Sequence, residues 1–428
     1  MPTAVYSHTF LVGCLNIPSD YDLLSKIKGQ WQRITINQED CPEYYKSHLN
    51  AMTDSASDSS FINGIRQYQR IKGKEEDTSF TLSLSKKNNY AGETELVALD
   101  KYKAQICSLR LYLFPLDITV VVIEIDDSGS DLNDLTKAHN WFKEWNENYD
   151  CFIADGLKKA LDPLAAVLPE KALSNLVQEG NNMKVFQIVK TEDKEPNDEL
   201  LYEIASFSPI GAVSGDHPAS PSPEYYNRIM KENSVSTFKN WKALSLLDSF
   251  TVLGGDKFSP WTWENRYFPL IYLRCFFEKA FCFSRNNAYR MGERVENLDK
   301  DMSDMEKFFF YNNISSNFQP NLLYKSMTKG MGIKEERLEI SRQIKEAANK
   351  KREENRERVN KRITIITALV SLFAVFSIAW DTFSLVKEGW LSGRSSPRTA
   401  EGFGIVSLVA VCVLLILLFR HFSSDDKN

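Results

Sequence analysis

Metal-binding cysteine spacing is missing from this chain. Its seven cysteines, Cys14, Cys41, Cys107, Cys151, Cys275, Cys282 and Cys412, form no Cys-x-x-Cys pair and no zinc-like cluster. That usage fits a reducing compartment, where cysteine serves as a small apolar residue. The five histidines, His8, His48, His139, His217 and His421, are scattered. There is no His-Glu-x-x-His, no nucleophile elbow and no Walker pattern. No metal site, no catalytic residues and no enzyme activity are therefore expected. A basic excess is also missing: net charge is -5 with 25% charged residues, so direct nucleic-acid binding is not expected. The first residues, MPTAVYSHTFLVGC, lack a basic segment followed by a long apolar one, and no signal peptide is expected. The acidic stretch 126–131 (DDSGSD) lacks the ligand pattern of a calcium loop. It is expected to be a turn ending in a helix cap.

What the chain does have is two uncharged apolar runs near its end. They are 363–380 (ITIITALVSLFAVFSIAW) and 403–419 (FGIVSLVAVCVLLILLF). As helices they are about 27 Å and about 25 Å long. A hydrocarbon core is about 30 Å thick, so each is near the short limit for a span. Lipid offers the backbone no hydrogen bonds, so a helical hairpin is the expected form. Lys350, Lys351, Arg352, Arg356, Arg358, Lys361 and Arg362 precede the first run, and Arg420 follows the second. The positive-inside rule then places both termini in the cytoplasm, in an inner (plasma) membrane protein. Trp380 and Trp390 are expected near the outer interface.

Upstream, alternating or β-branched runs predict strands at 8–17, 30–37, 106–126 (as an antiparallel pair), 183–189, 200–207 and 240–255. Helices are expected at 19–28, capped by Ser19 or Asp20, and at 132–148, where Leu132, Leu135, Ala138, Trp141, Phe142 and Trp145 recur at helical spacing. The stretch 155–178 predicts one or two helices broken at Pro163 and Pro169, and 208–223 a proline-rich loop. From 268 to 311 one long helix or two in tandem are expected. Arg274, Glu278 and Lys279 argue that this apolar segment packs on the soluble part and does not enter lipid. The stretch 334–362 holds eleven basic and seven acidic residues and reads as a solvated stalk helix leading into the first span.

The fold class is therefore α+β: a sheet with flanking helices, then a stalk helix and a two-helix transmembrane hairpin. The expected parts are a cytoplasmic domain at 1–265, a long helical pair at 266–332, the stalk at 333–362, the first span at 363–381, an outer loop at 382–402, the second span at 403–420 and a cytoplasmic tail at 421–428. Within the first span, Thr364, Thr367, Ser371, Ala374, Ile378 and Asp381 follow spacings of three and four and form one stripe, which Asn360 extends toward the cytoplasm. Small and polar residues on one face suggest contact with helices or water, and the bulky faces suggest lipid. Because one helix cannot line a pore, a pore here requires a homo-oligomer.

This order of parts resembles the CorA-type metal-ion transport proteins. The likeness rests on ICSLRLYLFPLDITVVVIEI, FPLIYLRCFFEKAF, the 334–362 stalk and the C-terminal pair of spans. The family's Gly-Met-Asn filter is absent: after Trp380 the chain reads DTFSLVKEGWLSGRSSPRTAEG. Magnesium selectivity is therefore not carried over. The chain is similar to divergent CorA-like effectors of type III CRISPR antiviral systems, which lack that filter. That resemblance implies a pentamer and an activating nucleotide, a conjugate of S-adenosylmethionine and AMP (SAM-AMP). Trp261, Trp263, Arg266, Arg274, Arg285 and Arg290 would be suited to stack on an adenine and pair with a phosphate. The alternatives are a divergent divalent-cation transporter and a membrane-anchored receptor without a pore.

Overall fold

The structure is a computed structural model. It describes residues 3–18, 20–34, 66–70, 78–87, 94–148, 157–177, 182–310, 313–391 and 393. The expected second span at 403–420 and the tail lie outside the described residues. Two compact units are present, Met1–Lys345 and Glu346–Asn428.

The first unit is built on a mixed sheet. Its strands are β1 (Tyr6–Leu15), β2 (Trp31–Ile34), β3 (Arg66–Arg70), β4 (Ser79–Phe80), β7 (Ala104–Phe114), β8 (Ile118–Asp126), β9 (Lys184–Lys190), β10 (Ser234–Val235), β11 (Trp241–Ser245) and β12 (Ser249–Gly254). The spatial order is β10-β11-β12-β9-β1-β8-β7-β3-β2, with β4 paired to β7. β5 (Ser83–Lys87) and β6 (Thr94–Ala98) form a separate pair. β12 runs parallel to β9, and the other pairings are antiparallel. The expected pair at 106–126 forms, closed by a turn in which Leu116 and Asp117 take φ of 62° and 59°. β1 lies between β8 and β9 at the middle of the sheet.

Both faces of the sheet are covered. One face carries Leu11, Val121, Ile123, Val185 and Leu253, which pack with α2 (Leu132–Lys143), α4 (Leu157–Ala165) and α5 (Asp198–Ser206). Short helices α1 (Leu23–Lys26) and α3 (Trp145–Asn148) add Leu23 and Trp145 to this core. α6 (Pro223–Asn233) has no buried residue. The other face carries Phe10, Val12, Val120, Phe186 and Phe250, which pack with a π-helix (Trp263–Tyr272), α7 (Leu273–Arg290), α8 (Val295–Phe308) and α9 (Phe318–Gly330). Ring stacking joins the layers, with Phe10 4.0 Å from Phe268 and Phe114 4.5 Å from Phe277. α10 (Ile333–Leu391) begins in this core, where Ile333, Ile340 and Ile344 are buried, after a break at Gly332 with φ of 65°. Each such fully buried side chain contributes about 1.5–3 kcal/mol.

Four local expectations are corrected. The stretch 200–207 is not a strand: Asn197 caps α5 by accepting from the Glu199 and Leu200 amides, and Leu201, Ile204 and Ala205 fall on its buried face. The cap of α1 is Asp22, whose side chain accepts from the Ser25 amide. Pro163 does not break α4, because it costs one backbone bond near the helix end while Leu157, Leu161 and Leu164 stay buried. Finally, α10 does not stop at 381 but runs to Leu391, short of Gly393 with φ of 70°.

The charges of α7 are buried within this unit. Arg274 Nε donates to Glu278 Oε1 at 3.1 Å, and its guanidinium also donates to the Phe309 carbonyl. Tyr324 donates to both Glu278 oxygens at 3.0 and 3.1 Å. Lys279 Nζ lies 2.6 Å from Glu336 Oε2. Burial pushes the Glu278 carboxyl up, and Arg274 and Tyr324 hold it down. Removing one member leaves the other as an uncompensated buried charge. Glu278→Ala is expected to cost about 3–5 kcal/mol in urea unfolding, whereas Arg274→Met with Glu278→Leu is expected to cost markedly less than the single change. Equal losses would show that the pair is not what the site requires.

Candidate functional site

Two places combine polar chemistry with an unusual setting. The first is the apolar half of α10 in the second unit. Among the described residues it is the one helix long and apolar enough to cross a membrane, with a mean hydropathy of 2.3 and none of that window buried. Eleven large apolar side chains between 363 and 385, from Ile363 to Leu385, are each at least half exposed. Leaving them in water costs on the order of 10 kcal/mol. Asn360, Thr364, Thr367, Ser371, Ala374, Ile378 and Asp381 all lie on this one continuous helix, so their spacing places them along one side of it. Thr364 donates to the Asn360 carbonyl at 2.9 Å and Ser371 to the Thr367 carbonyl at 2.8 Å. These hydroxyls are satisfied within the helix and impose no need for a polar neighbour.

The residues expected to hold a nucleotide do not converge. Trp261 is 54% exposed, and the Arg266 guanidinium lies 5.0 Å from its ring centroid. Trp263 is buried between Trp241 at 4.9 Å and Tyr267 at 5.0 Å. Arg274 is committed to Glu278 and Phe309. Arg285 pairs with Asp301 at 2.7 Å and donates to the Leu116 carbonyl at 3.0 Å. Arg290 is exposed in the last turn of α7. Trp261 and Arg266 remain as a surface pair at the start of the π-helix, and the Arg266 Nε–H is buried without an acceptor.

Between those two residues stands Glu264, which belongs to the second place. His8 on β1 has Nδ1 3.1 Å from Glu264 Oε1 and Nε2 3.4 Å from Glu124 Oε1 on β8. Tyr6 donates to Glu264. Glu124 accepts from Arg110 at 2.6 Å and from Ser108, both on β7. The cluster therefore ties the π-helix to β1 through Tyr6 and His8, with Glu124 of β8 near the other ring nitrogen, which makes no hydrogen bond. Burial pushes the Glu264 carboxyl up to about 7. Sequence reasoning missed this cluster. The signal was present, however, as a charged Glu124 inside the otherwise apolar run ITVVVIEI. π-Helical turns are also frequent at functional sites.

A further network is wholly internal. His139 Nε2 lies 2.9 Å from Asp127 Oδ2, which also accepts from Thr9 at 2.9 Å, and His139 Nδ1 lies 2.7 Å from Gln187 Oε1. All four residues are buried, and the network ties α2 to β1 and β9. A groove of about 650 Å³ is lined by Lys158, Leu168, Lys171 and Ser174 and includes none of the expected site residues. No group of acidic, His and Cys side chains suited to a metal ion occurs among the described residues. Comparison with protein-family models, curated proteins and solved structures gives no match.

The raised Glu264 value has a pH consequence. The unfolded carboxyl ionises near its ordinary 4.5 and the folded one near 7. The native state is thus favoured by the protonated group below about 4.5, and that advantage is lost as pH rises through 7. Glu264→Gln, which imitates the protonated form, is expected to raise Tm at pH 8 relative to the unsubstituted chain and to leave it little changed at pH 4.5. A Tm difference independent of pH would refute the assignment.

Proposed function

We propose that this chain is a CorA-like, homo-oligomeric membrane channel. Its sheet-based unit binds an activating nucleotide of the SAM-AMP type, and its first span surrounds an ion pathway. The setting inferred from the resemblance is type III CRISPR antiviral defence. The observation that carries the reading is the unburied apolar half of α10, which continues without interruption from a segment whose Ile333, Ile340 and Ile344 sit in the core of the sheet-based unit. Asn360, Thr364, Thr367 and Ser371 line the cytoplasmic half of the pathway, with Ala374 and Ile378 beyond them. Asp381 stands at the outer mouth, where a ring of carboxylates favours cations. This reading would add a second span at 403–420, outside the described residues, and so place both termini in the cytoplasm. The surface pair Trp261 and Arg266 is where a base and a phosphate are met.

Binding opens the pathway only if the nucleotide binds the open state more tightly than the closed one. The test is ion flux into liposomes carrying the purified chain, with and without the SAM-AMP conjugate, for the unsubstituted chain and Thr367→Leu. Ligand-dependent flux that the substitution removes is the expected result. Flux without ligand would instead identify a cation transporter, and no flux with the oligomer intact an anchored receptor.

A further inference from the structure

Several basic residues along α10 are answered by neighbouring side chains. In the first unit, Arg337 lies 4.6 Å from the Phe310 ring centroid, Arg342 pairs with Glu339 at 3.0 Å, and Lys345 pairs with Glu306 at 2.9 Å. Closer to the span the pattern ends. Arg356, Arg358, Lys361 and Arg362 are exposed and form no ion pair among the described residues. Partners are available, because Glu354 and Glu357 stand four residues before Arg358 and Lys361, the spacing at which a helix brings side chains together. The four cations are nevertheless left open.

Their position indicates what they face. The uncharged run begins at Ile363, so at 1.5 Å per residue Arg362 lies about 2 Å and Arg356 about 10 Å before it along the helix. That interval covers a headgroup layer, about 5–8 Å deep, and reaches about one Debye length, the range of an anionic surface. We propose that Arg356, Arg358, Lys361 and Arg362 form a binding surface for anionic phospholipid headgroups at the cytoplasmic face. This rests on the membrane reading of α10 and adds a lipid partner to it. Guanidinium groups match the phosphodiester through paired N–H donors, and Lys361 adds a point charge. Each cation near such a surface is worth about five-fold in affinity. Glu357, inside the same interval, weakens the surface.

The test uses the full chain in bilayers of equal phosphatidylcholine and phosphatidylglycerol. The chain is extracted into detergent, and the ratio of the two lipids retained is measured by mass spectrometry. The unsubstituted chain is expected to enrich phosphatidylglycerol several-fold. The fourfold variant Arg356→Gln, Arg358→Gln, Lys361→Gln, Arg362→Gln is expected to lose that enrichment, and Glu357→Gln to increase it. Equal enrichment in the fourfold variant, or none in the unsubstituted chain, overturns the proposal. Enrichment that appears only in Asp425→Asn with Asp426→Asn would also overturn it, by making the acidic tail the occupant. Flotation with vesicles of phosphatidylcholine alone separates the two levels. A chain that floats without enrichment retains the membrane reading and loses the headgroup surface, and one that does not float loses both.

Discussion

A charged side chain can leave water only if the fold answers it, and that constraint separates α7 from the apolar half of α10. α7 carries Arg274, Glu278 and Lys279 through the middle of an apolar segment. Each finds a partner inside the first unit, in Glu278, Tyr324, the Phe309 carbonyl or Glu336. The segment can therefore be buried in protein, and Phe276, Phe277 and Phe281 are. The run 363–380 contains no charge and makes no equivalent demand. It also finds no burial, so its apolar surface calls for a solvent other than water. The ionisable residues of α7 thus need protein partners, and the uncharged run of α10 needs none.

The sheet sets where that sorting takes place. Because β1 lies between β8 and β9, its alternate residues serve two cores. Leu11 faces the α2, α4 and α5 layer, while Phe10 and Val12 face the π-helix and α7. His8 shares the second face, and there it meets Glu264 from above and Glu124 from the neighbouring strand. The clamp is thus a consequence of strand alternation, since a residue shifted by one would lie on the other face. Opposite it, Thr9 points to the first core and joins Asp127 and His139. One strand therefore carries a polar anchor on each side, and the two differ in burial. His139 and Asp127 are fully enclosed, whereas His8 and Glu264 are 13% and 18% exposed.

Much of this was legible in the chain itself. The pair at 106–126, the helix from Leu132 and the hairpin at 240–255 are seen where periodicity and turn residues place them. The stretch 200–207 was misleading because LLYEIASF suits either periodicity, and the deciding feature, the Asn197 cap, lies outside the run. The candidate sites divide in the same way. The stripe from Thr364 to Asp381 needs only helical geometry, which local sequence supplies. The arginines and tryptophans around Trp263 needed knowledge of burial, and composition is silent on whether an arginine meets a ligand or a glutamate. The clamp was beyond local reasoning altogether, since Tyr6 and Glu264 are 258 residues apart and only the sheet order joins them.

Energetics bounds how a nucleotide would act under the proposed function. Moving a closed-to-open ratio from 1:99 to 99:1 takes about 10⁴-fold tighter binding to the open state. A cation–π contact at an exposed site contributes about 0.5–1 kcal/mol, and a charge-assisted hydrogen bond about 1.5–3 kcal/mol. Trp261 and Arg266 alone therefore fall short of the roughly 5.5 kcal/mol required. The difference would have to come from further contacts to the nucleotide. Glu264 lies between those two residues in sequence, and its side chain is directed instead at Tyr6 and His8 on β1.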